Sequence, residues 1–138
     1  IANKLIEAHP SEIENGRSAV IITYGMGVYW AKEAIKKFNG KIELIDIRTI
    51  TPLDEETIFK SVEKHGRCLV LTEETLNNSF AEALAYRISN HCFKYLDAPV
   101  ATLGSLDLPS IPMNIALEKE MLPNAEKVAQ KLNELLNF

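Results

Sequence analysis

KIELIDIRTITPLD, Lys41 to Asp54, decides how this chain folds. Ile42, Leu44, Ile45 and Ile47 form a nearly unbroken aliphatic run, and a strand apolar on both faces is one covered on both faces, as in a parallel sheet. The run leaves the sheet through Asp46, Arg48 and Thr49, turns at Pro52 and enters a helix at Asp54, a good N-cap. The charges therefore fall at the carboxyl end of a strand, where a parallel sheet places its ligands and partners.

The same unit recurs on either side. Ser18 to Tyr24 (SAVIITY) is another doubly apolar strand that breaks at Gly25 and Gly27. A helix from about Val28 to Asn39 follows, with Val28, Ala31, Ile35 and Phe38 on one face and Gly40 just past its end. Downstream, Asp54 opens a helix over Glu55 to His65, Leu53 can staple onto Ile58, and Gly66 supplies the stop. Cys68 to Thr72 is the next strand, leading through EETLNN to a helix that begins near Phe80. There Ser79 and Glu82 have the spacing of a capping box, and Phe80, Leu84 and Ile88 point inward.

Pro99 to Leu103 reads as a shorter strand near an edge, because proline cannot donate to a ladder. Gly104, Pro109, Pro112 and Pro123 then restrict helix to a short piece around Asn114 to Glu120, within an irregular connection long enough to suggest a function. Asn124 caps a last helix whose Ala125, Val128, Leu132 and Leu135 can pack back on the sheet. Successive strand-helix units of this kind make an α/β domain around a parallel sheet.

A composition of 46% hydrophobic and 25% charged residues is that of an ordinary globular domain. The net charge of −4 argues against nucleic acid and anionic membrane as partners and makes a basic partner easier. No apolar run reaches the roughly 20 residues of a membrane span, and IANKLIEAH lacks the layout of a signal peptide, so a cytoplasmic location is expected. Cys68 and Cys92 show no pairing pattern and read as reduced core thiols. Residues 1–17 are polar apart from Leu5 and Ile6 and read as a linker with one short edge strand; a start at Ile1 rather than Met suggests a segment of a longer polypeptide.

The candidate sites are few. YGMGVYW, residues 24–30, sets Gly25 and Gly27 between a strand and a helix, with Asp46 placed 21 residues after Gly25, as in a dinucleotide site. Trp30 occupies the third glycine position, which favours a turn without a ligand. Asp46 and Arg48, two apart on a strand, can pair with each other or with another chain. Glu73 and Glu74 end a strand but face opposite sides, so they do not form the facing carboxylates of a glycosidase. His9, His65 and His91 lack metal-ligand spacing, and Ser79 lacks the nucleophile elbow. The residues alone thus give an α/β domain without a visible active site.

Taken in order, VIITYGMGVYWAKEA, IELIDIRTITPLDEETIFKSV, GRCLVLTEE, YLDAPV and ALEKEMLPN resemble the C-terminal domain of the transketolase superfamily. The version resembled is the beta part of the thiamine diphosphate-dependent 2-oxo acid dehydrogenase component. The Asp46 to Asp54 element is shared across the superfamily, whereas YLDAPV (Tyr95 to Val100) and Ala116 to Glu118 with Leu122 and Pro123 point to the dehydrogenase branch. The resemblance implies a linker over residues 1–13 and, over 14–138, a three-layer α/β/α domain. Its five-stranded, mostly parallel sheet would have one antiparallel edge strand, sought in SEIENGR, Ser11 to Arg17.

It further implies that thiamine diphosphate and Mg²⁺ sit in other domains of the full-length enzyme and none in this one. This domain would hold no catalytic, cofactor or metal residue and would be inactive alone. It would serve subunit assembly against the thiamine-binding domains, within a homo-oligomer, and docking of the basic subunit-binding domain of an acyltransferase core near the chain end. Asp46, Arg48, Glu74, Glu118 and Phe138 are the interface candidates. Where many relatives have histidine followed by a glycine-rich loop, this chain has Glu73 before Glu74 and LNNSF after it, so no role of that histidine carries over. The alternatives are a transketolase or deoxyxylulose phosphate synthase C-terminal domain, a nucleotide-binding module on Gly25, Gly27 and Asp46, or an interaction domain that uses residues 104–123 with Glu118 and Glu120.

Overall fold

The computed structural model describes residues 1–8 and 16–138. Five strands, β1 (Asn3–Ile6), β2 (Ala19–Thr23), β3 (Ile42–Asp46), β4 (Cys68–Thr75) and β5 (Ala101–Ser105), form one sheet in the order β1-β3-β2-β4-β5. Neighbours among β2 to β5 are parallel, and β1 alone runs antiparallel, against β3. The helices are α1 (Met26–Ile35), α2 (Glu55–His65), α3 (Phe80–His91), α4 (Ile115–Met121) and α5 (Ala125–Leu136), with a 3₁₀ turn at Phe93–Tyr95.

Side chains of a strand alternate between faces, and here both faces are buried. Ile21, Leu44, Leu69 and Leu71 pack with Ala31, Ile35, Val128 and Leu132 of α1 and α5. Val20, Ile22, Ile45 and Val70 pack with Ile58, Val62, Leu84 and Ile88 of α2 and α3. The result is the expected three-layer α/β/α domain with a mixed five-stranded sheet.

Most helix ends fall where the sequence puts them. Asp54 Oδ1 accepts from the Thr57 backbone N–H at 3.1 Å, and Gly66 ends α2 at φ 69°. Ser79 Oγ accepts from the Glu82 N–H at 3.1 Å, but the Glu82 carboxylate takes the N–H of Asn78 and not that of Ser79. The expected capping box is thereby displaced by one residue, because the Ser79 N–H is already spent on the Leu76 carbonyl. Helix α1 starts two residues earlier than the expected Val28 and ends at Ile35, with turns after it.

Two expectations need correction. The antiparallel edge strand is Asn3–Ile6 and not SEIENGR; residues 11–15 of that stretch, like His9 and the expected domain start at Glu14, lie outside the described residues, and Gly16 and Arg17 carry no strand. The edge strand near Pro99 begins only at Ala101 and runs to Ser105, so Pro99 precedes the ladder. The reason is physical in both cases: a strand is placed by its pairing partner, and single-strand propensity is a weak guide at an edge. Among the described residues, no helix is long and apolar enough to cross a membrane.

Candidate functional site

Connections from β2 and β4 leave in opposite directions, β2 toward β3 and β4 toward β5, so the sheet switches direction between these two adjacent strands. A crevice at the carboxyl ends of strands flanking such a switch is where an open α/β sheet binds its ligands. Tyr24, just past β2, places its hydroxyl 2.9 Å from Thr72 Oγ1 and donates to Glu74 Oε1 at 3.1 Å, both on β4. The same Glu74 oxygen accepts from the Phe80 N–H at 3.1 Å, at the first turn of α3. The Tyr24 and Phe80 rings meet edge to face at 5.9 Å. Burial, and then the neighbouring Glu74 carboxylate, raise the Tyr24 phenol above its ordinary value.

Asp46 ends β3, and its Oδ1 accepts the backbone N–H of Arg48 at 3.1 Å. The contact is therefore made by the Arg48 backbone, with the residue at φ 58°, and the expected pairing between the two side chains is not present among the described residues. The Arg48 side chain is exposed. Gly25 sits at φ 58° before α1, and Gly27 packs so closely that a Cβ there would come within 1.9 Å of Thr23 Oγ1. Both glycines are accounted for by the turn and by helix-strand packing, and Trp30 packs against the core.

A second polar cluster lies at the opposite, amino end of the sheet. Ser18 Oγ is 2.7 Å from His65 Nδ1, His65 Nε2 is 3.1 Å from Glu43 Oε2, and Ser61 donates to Glu43 Oε1. Lys4 and Lys64 approach the same carboxylate, each at 3.4 Å. Burial alone would raise the Glu43 pKa, but the hydrogen bonds of His65 and Ser61 and the charges of His65 and Lys4 outweigh it and bring it down to about 2. The Ser-His-Glu connectivity looks like that of a hydrolase, but Ser18, His65 and Glu43 are buried, so no substrate reaches them. The cluster joins α2 to β3 and to the edge strand β1. The sequence signal was there to read: Glu43 is a charge inside a strand otherwise read as buried on both faces.

The remaining candidates lie on different elements. Glu118 is exposed on α4, where none of the helix residues is buried, and lines a crevice of about 250 Å³ with Trp30 and Ile115. Lys127 Nζ donates to the carbonyls of Lys119 at 3.2 Å, Glu120 at 2.8 Å and Leu122 at 2.7 Å, and the Leu106 N–H bonds the Met121 carbonyl at 3.1 Å. Residues 106–121 are thus an arm pinned at its base. The arm exposes Leu106, Leu108, Ile111, Met113, Ile115 and Leu117, which the charge-based search of the sequence missed. Phe138 is 71% exposed and flanks a groove of about 510 Å³ lined by Phe93, Leu96, Asp97 and Pro99. Burial raises both thiols, Cys92 to about 11, and both cysteines are free and buried. Among the described residues, no group of three or more His, Cys, Asp or Glu could hold a metal ion.

Comparison with known proteins adds context. Residues 11–128 match the family model described as transketolase, C-terminal domain. The chain is 36% identical over 126 residues to the 2-oxoisovalerate dehydrogenase subunit beta of Bacillus subtilis (strain 168), covering 89% of this chain and 38% of that protein. It is 35% identical over 116 residues to the pyruvate dehydrogenase E1 component subunit beta of Rhizobium meliloti (strain 1021), covering 82% of this chain and 25% of that one. Among solved structures, a split-gene transketolase described as an inactive beta4 tetramer superposes with a TM-score of 0.76 at 18% identity, over 99% of this chain and 42% of its own. The chain therefore spans less than half the length of each of these relatives.

Proposed function

The chain belongs to the transketolase C-terminal domain family, and from that premise we propose that it is the C-terminal domain of a thiamine diphosphate-dependent 2-oxo acid dehydrogenase component. The parent enzyme would decarboxylate a 2-oxo acid oxidatively and pass the acyl unit to lipoamide. The observation that carries this reading is the 36% identity, over 89% of the chain, to a dehydrogenase beta subunit. The split-gene transketolase that superposes on the chain is 18% identical and supports the fold alone.

The domain's own part is assembly and docking. Its residues do not fit a thiamine diphosphate site: Gly25 and Gly27 serve a turn and a close packing contact, and Asp46 is engaged by the Arg48 backbone. The cofactor and Mg²⁺ belong to other domains of the full enzyme, and no catalytic step is assigned to this chain. The arm of residues 106–121 supplies what an assembly surface needs, unpartnered apolar side chains on a base held by Lys127. Asp46, Arg48 and Glu74, at the carboxyl end of the sheet, face the thiamine-binding domains. The groove at Phe138, with the carboxylate of Asp97 on its wall, suits the basic subunit-binding domain of an acyltransferase core. Residues 1–13 lead in from the preceding domain, with β1 already paired in the sheet of this one. The compartment is the cytoplasm.

A titration of the 138-residue chain with thiamine diphosphate and Mg²⁺ tests the division of labour. No binding tighter than millimolar is expected, and micromolar binding overturns it. In the full-length enzyme, Glu118→Lys and Glu120→Lys should weaken assembly while this domain stays folded; unchanged assembly in both removes the arm from the interface.

A further inference from the structure

Arg67 ties a loop residue to the sheet. It follows Gly66, the stop of α2, and leads into β4, where its backbone carbonyl accepts the Val20 N–H at 3.0 Å. Its side chain reaches Asp97, in the connection between the 3₁₀ turn and β5, and Nη1 donates to Asp97 Oδ2 at 3.2 Å. Asp97 is fixed through its backbone as well, its N–H donating to the Gly66 carbonyl at 2.8 Å. A Cβ on Gly66 would come within 2.5 Å of Asp97 Oδ2, so the carboxylate rests on the bare glycine. The two partners differ in exposure. The Arg67 side chain is 10% exposed and does not line the groove at Phe138, whereas that of Asp97 is 61% exposed on its wall.

Folding alone does not account for this arginine. Among the described residues, its buried Nε has no hydrogen-bond partner. A buried cation with an unmade donor costs stability, and apolar side chains often serve such a site as well or better. What the arginine does supply is a fixed carboxylate. We infer that Arg67 is a positioning residue of the groove: it holds Asp97 Oδ2 so that Oδ1, which has no hydrogen bond among the described residues, is presented to a lysine or arginine of the partner. A free loop carboxylate must be ordered when the partner arrives, and that ordering weakens binding. Arg67, at the start of an inner strand, does the ordering beforehand. The inference rests on the docking reading of the Phe138 groove and adds the residue that prepares it. The charge of Arg67 acts in the other direction. A guanidinium near a basic partner repels it, so charge alone predicts tighter docking once Arg67 is removed, and positioning predicts weaker docking.

Calorimetric titration of the full-length enzyme with the basic subunit-binding domain of its acyltransferase tests this, with Tm as the control for folding. The wild-type enzyme should bind, and Asp97→Ala should weaken binding. Arg67→Met should weaken it at least about fivefold, the effect of releasing one ordered side chain. In the Asp97→Ala background the same substitution should change binding less than about twofold, because no carboxylate is left to hold. A role confined to folding would lower Tm and leave no such coupling. Should Arg67→Met fail to fold, Arg67→Lys carries the test: it keeps the buried charge, loses the planar fork and should weaken docking in the same direction. Docking that is unchanged or tighter in the Arg67 variants, while Asp97→Ala weakens it, overturns the inference and leaves the docking reading in place. No binding by the wild-type enzyme, or no loss in Asp97→Ala, overturns the docking reading and the inference with it.

Discussion

The amino and carboxyl ends of the sheet each hold a polar cluster built around one glutamate, and the two have opposite characters. At the amino end, Glu43 is fully buried among Ser61, His65, Lys4 and Lys64. At the carboxyl end, Glu74 is exposed, and one oxygen gathers Tyr24, Thr72 and the Phe80 N–H. The first has the residue types of a catalytic site without access; the second has access and lies at the topological switch. Residue types alone point to the amino end, whereas burial and strand direction point to the carboxyl end.

The contrast breaks most readily at Glu43. Glu43→Ala leaves two lysines and a histidine around a buried void, and removing one partner of a buried charge cluster costs about 3–5 kcal/mol. Urea unfolding should show that loss, and a change below about 1 kcal/mol would mean that the cluster is solvated and not structural. The acid limb adds a sign. A carboxyl held near 2 when folded, against an ordinary value of 4.5, contributes stability in full above about pH 4.5 and loses it as pH falls toward 2. Glu43→Gln should therefore flatten the wild-type fall in stability between those pH values.

The next effect concerns the arm. Lys127→Met removes three donated bonds from the carboxyl end of α4 while keeping the aliphatic stem. Global stability should drop by about 1 kcal/mol, since charged hydrogen bonds at a partly exposed site are modest. Amide exchange over Ile115–Met121 should accelerate at least about tenfold, because α4 has no buried residue to hold it otherwise. Unchanged exchange there would show that Lys127 is not the clasp.

How far the sequence led depends on what kind of force set each feature. The helix Glu55–His65 was legible to its ends, because Asp54, the Leu53 and Ile58 pair and Gly66 are local signals. The central strands were legible because burial on both faces leaves an unbroken apolar run. The edge strand at Asn3–Ile6 was misplaced, because only its pairing with β3 makes it a strand. Glu43 is itself a local signal, a charge within a strand read as buried, but its partners Ser18, Ser61 and His65 come from elsewhere in the chain and no local pattern names them. The apolar arm was read as a connection with two carboxylates on it, while its exposed side chains carry the stronger signal.

At the carboxyl end the expected effects on folding are small, which is what a surface kept for partners should show. Glu74→Gln should cost about 1 kcal/mol or less, because the group is exposed and glutamine still accepts from Tyr24 and the Phe80 N–H. The Tyr24 phenol reports the change directly. Removal of the neighbouring negative charge makes phenolate easier to form, so its raised pKa should fall toward the ordinary tyrosine value, with burial keeping part of the shift. Spectrophotometric titration of Tyr24, isolated by difference against Tyr24→Phe, reads it. A pKa that does not move would mean that the Glu74 carboxylate is turned away from Tyr24 in solution.

Arg48 makes the smallest change and the sharpest distinction between the two ends. It holds a left-handed backbone, φ 58°, that glycine adopts without a Cβ penalty, and its exposed side chain has no hydrogen bond or ion pair among the described residues. On folding grounds alone Arg48→Gly should be neutral to stabilising, by roughly 0.5 kcal/mol, the relief of strain being set against the extra freedom of glycine in the unfolded chain. If the carboxyl end of the sheet faces other domains, the same substitution should weaken assembly of the full-length enzyme, since an exposed guanidinium can pair there with a carboxylate. A chain at least as stable but poorer in assembly is the signature of a residue kept for a partner. Equal assembly would leave the carboxyl end with Glu74 alone, and a clear loss of stability would show that the Arg48 side chain supports the fold through contacts of its aliphatic stem.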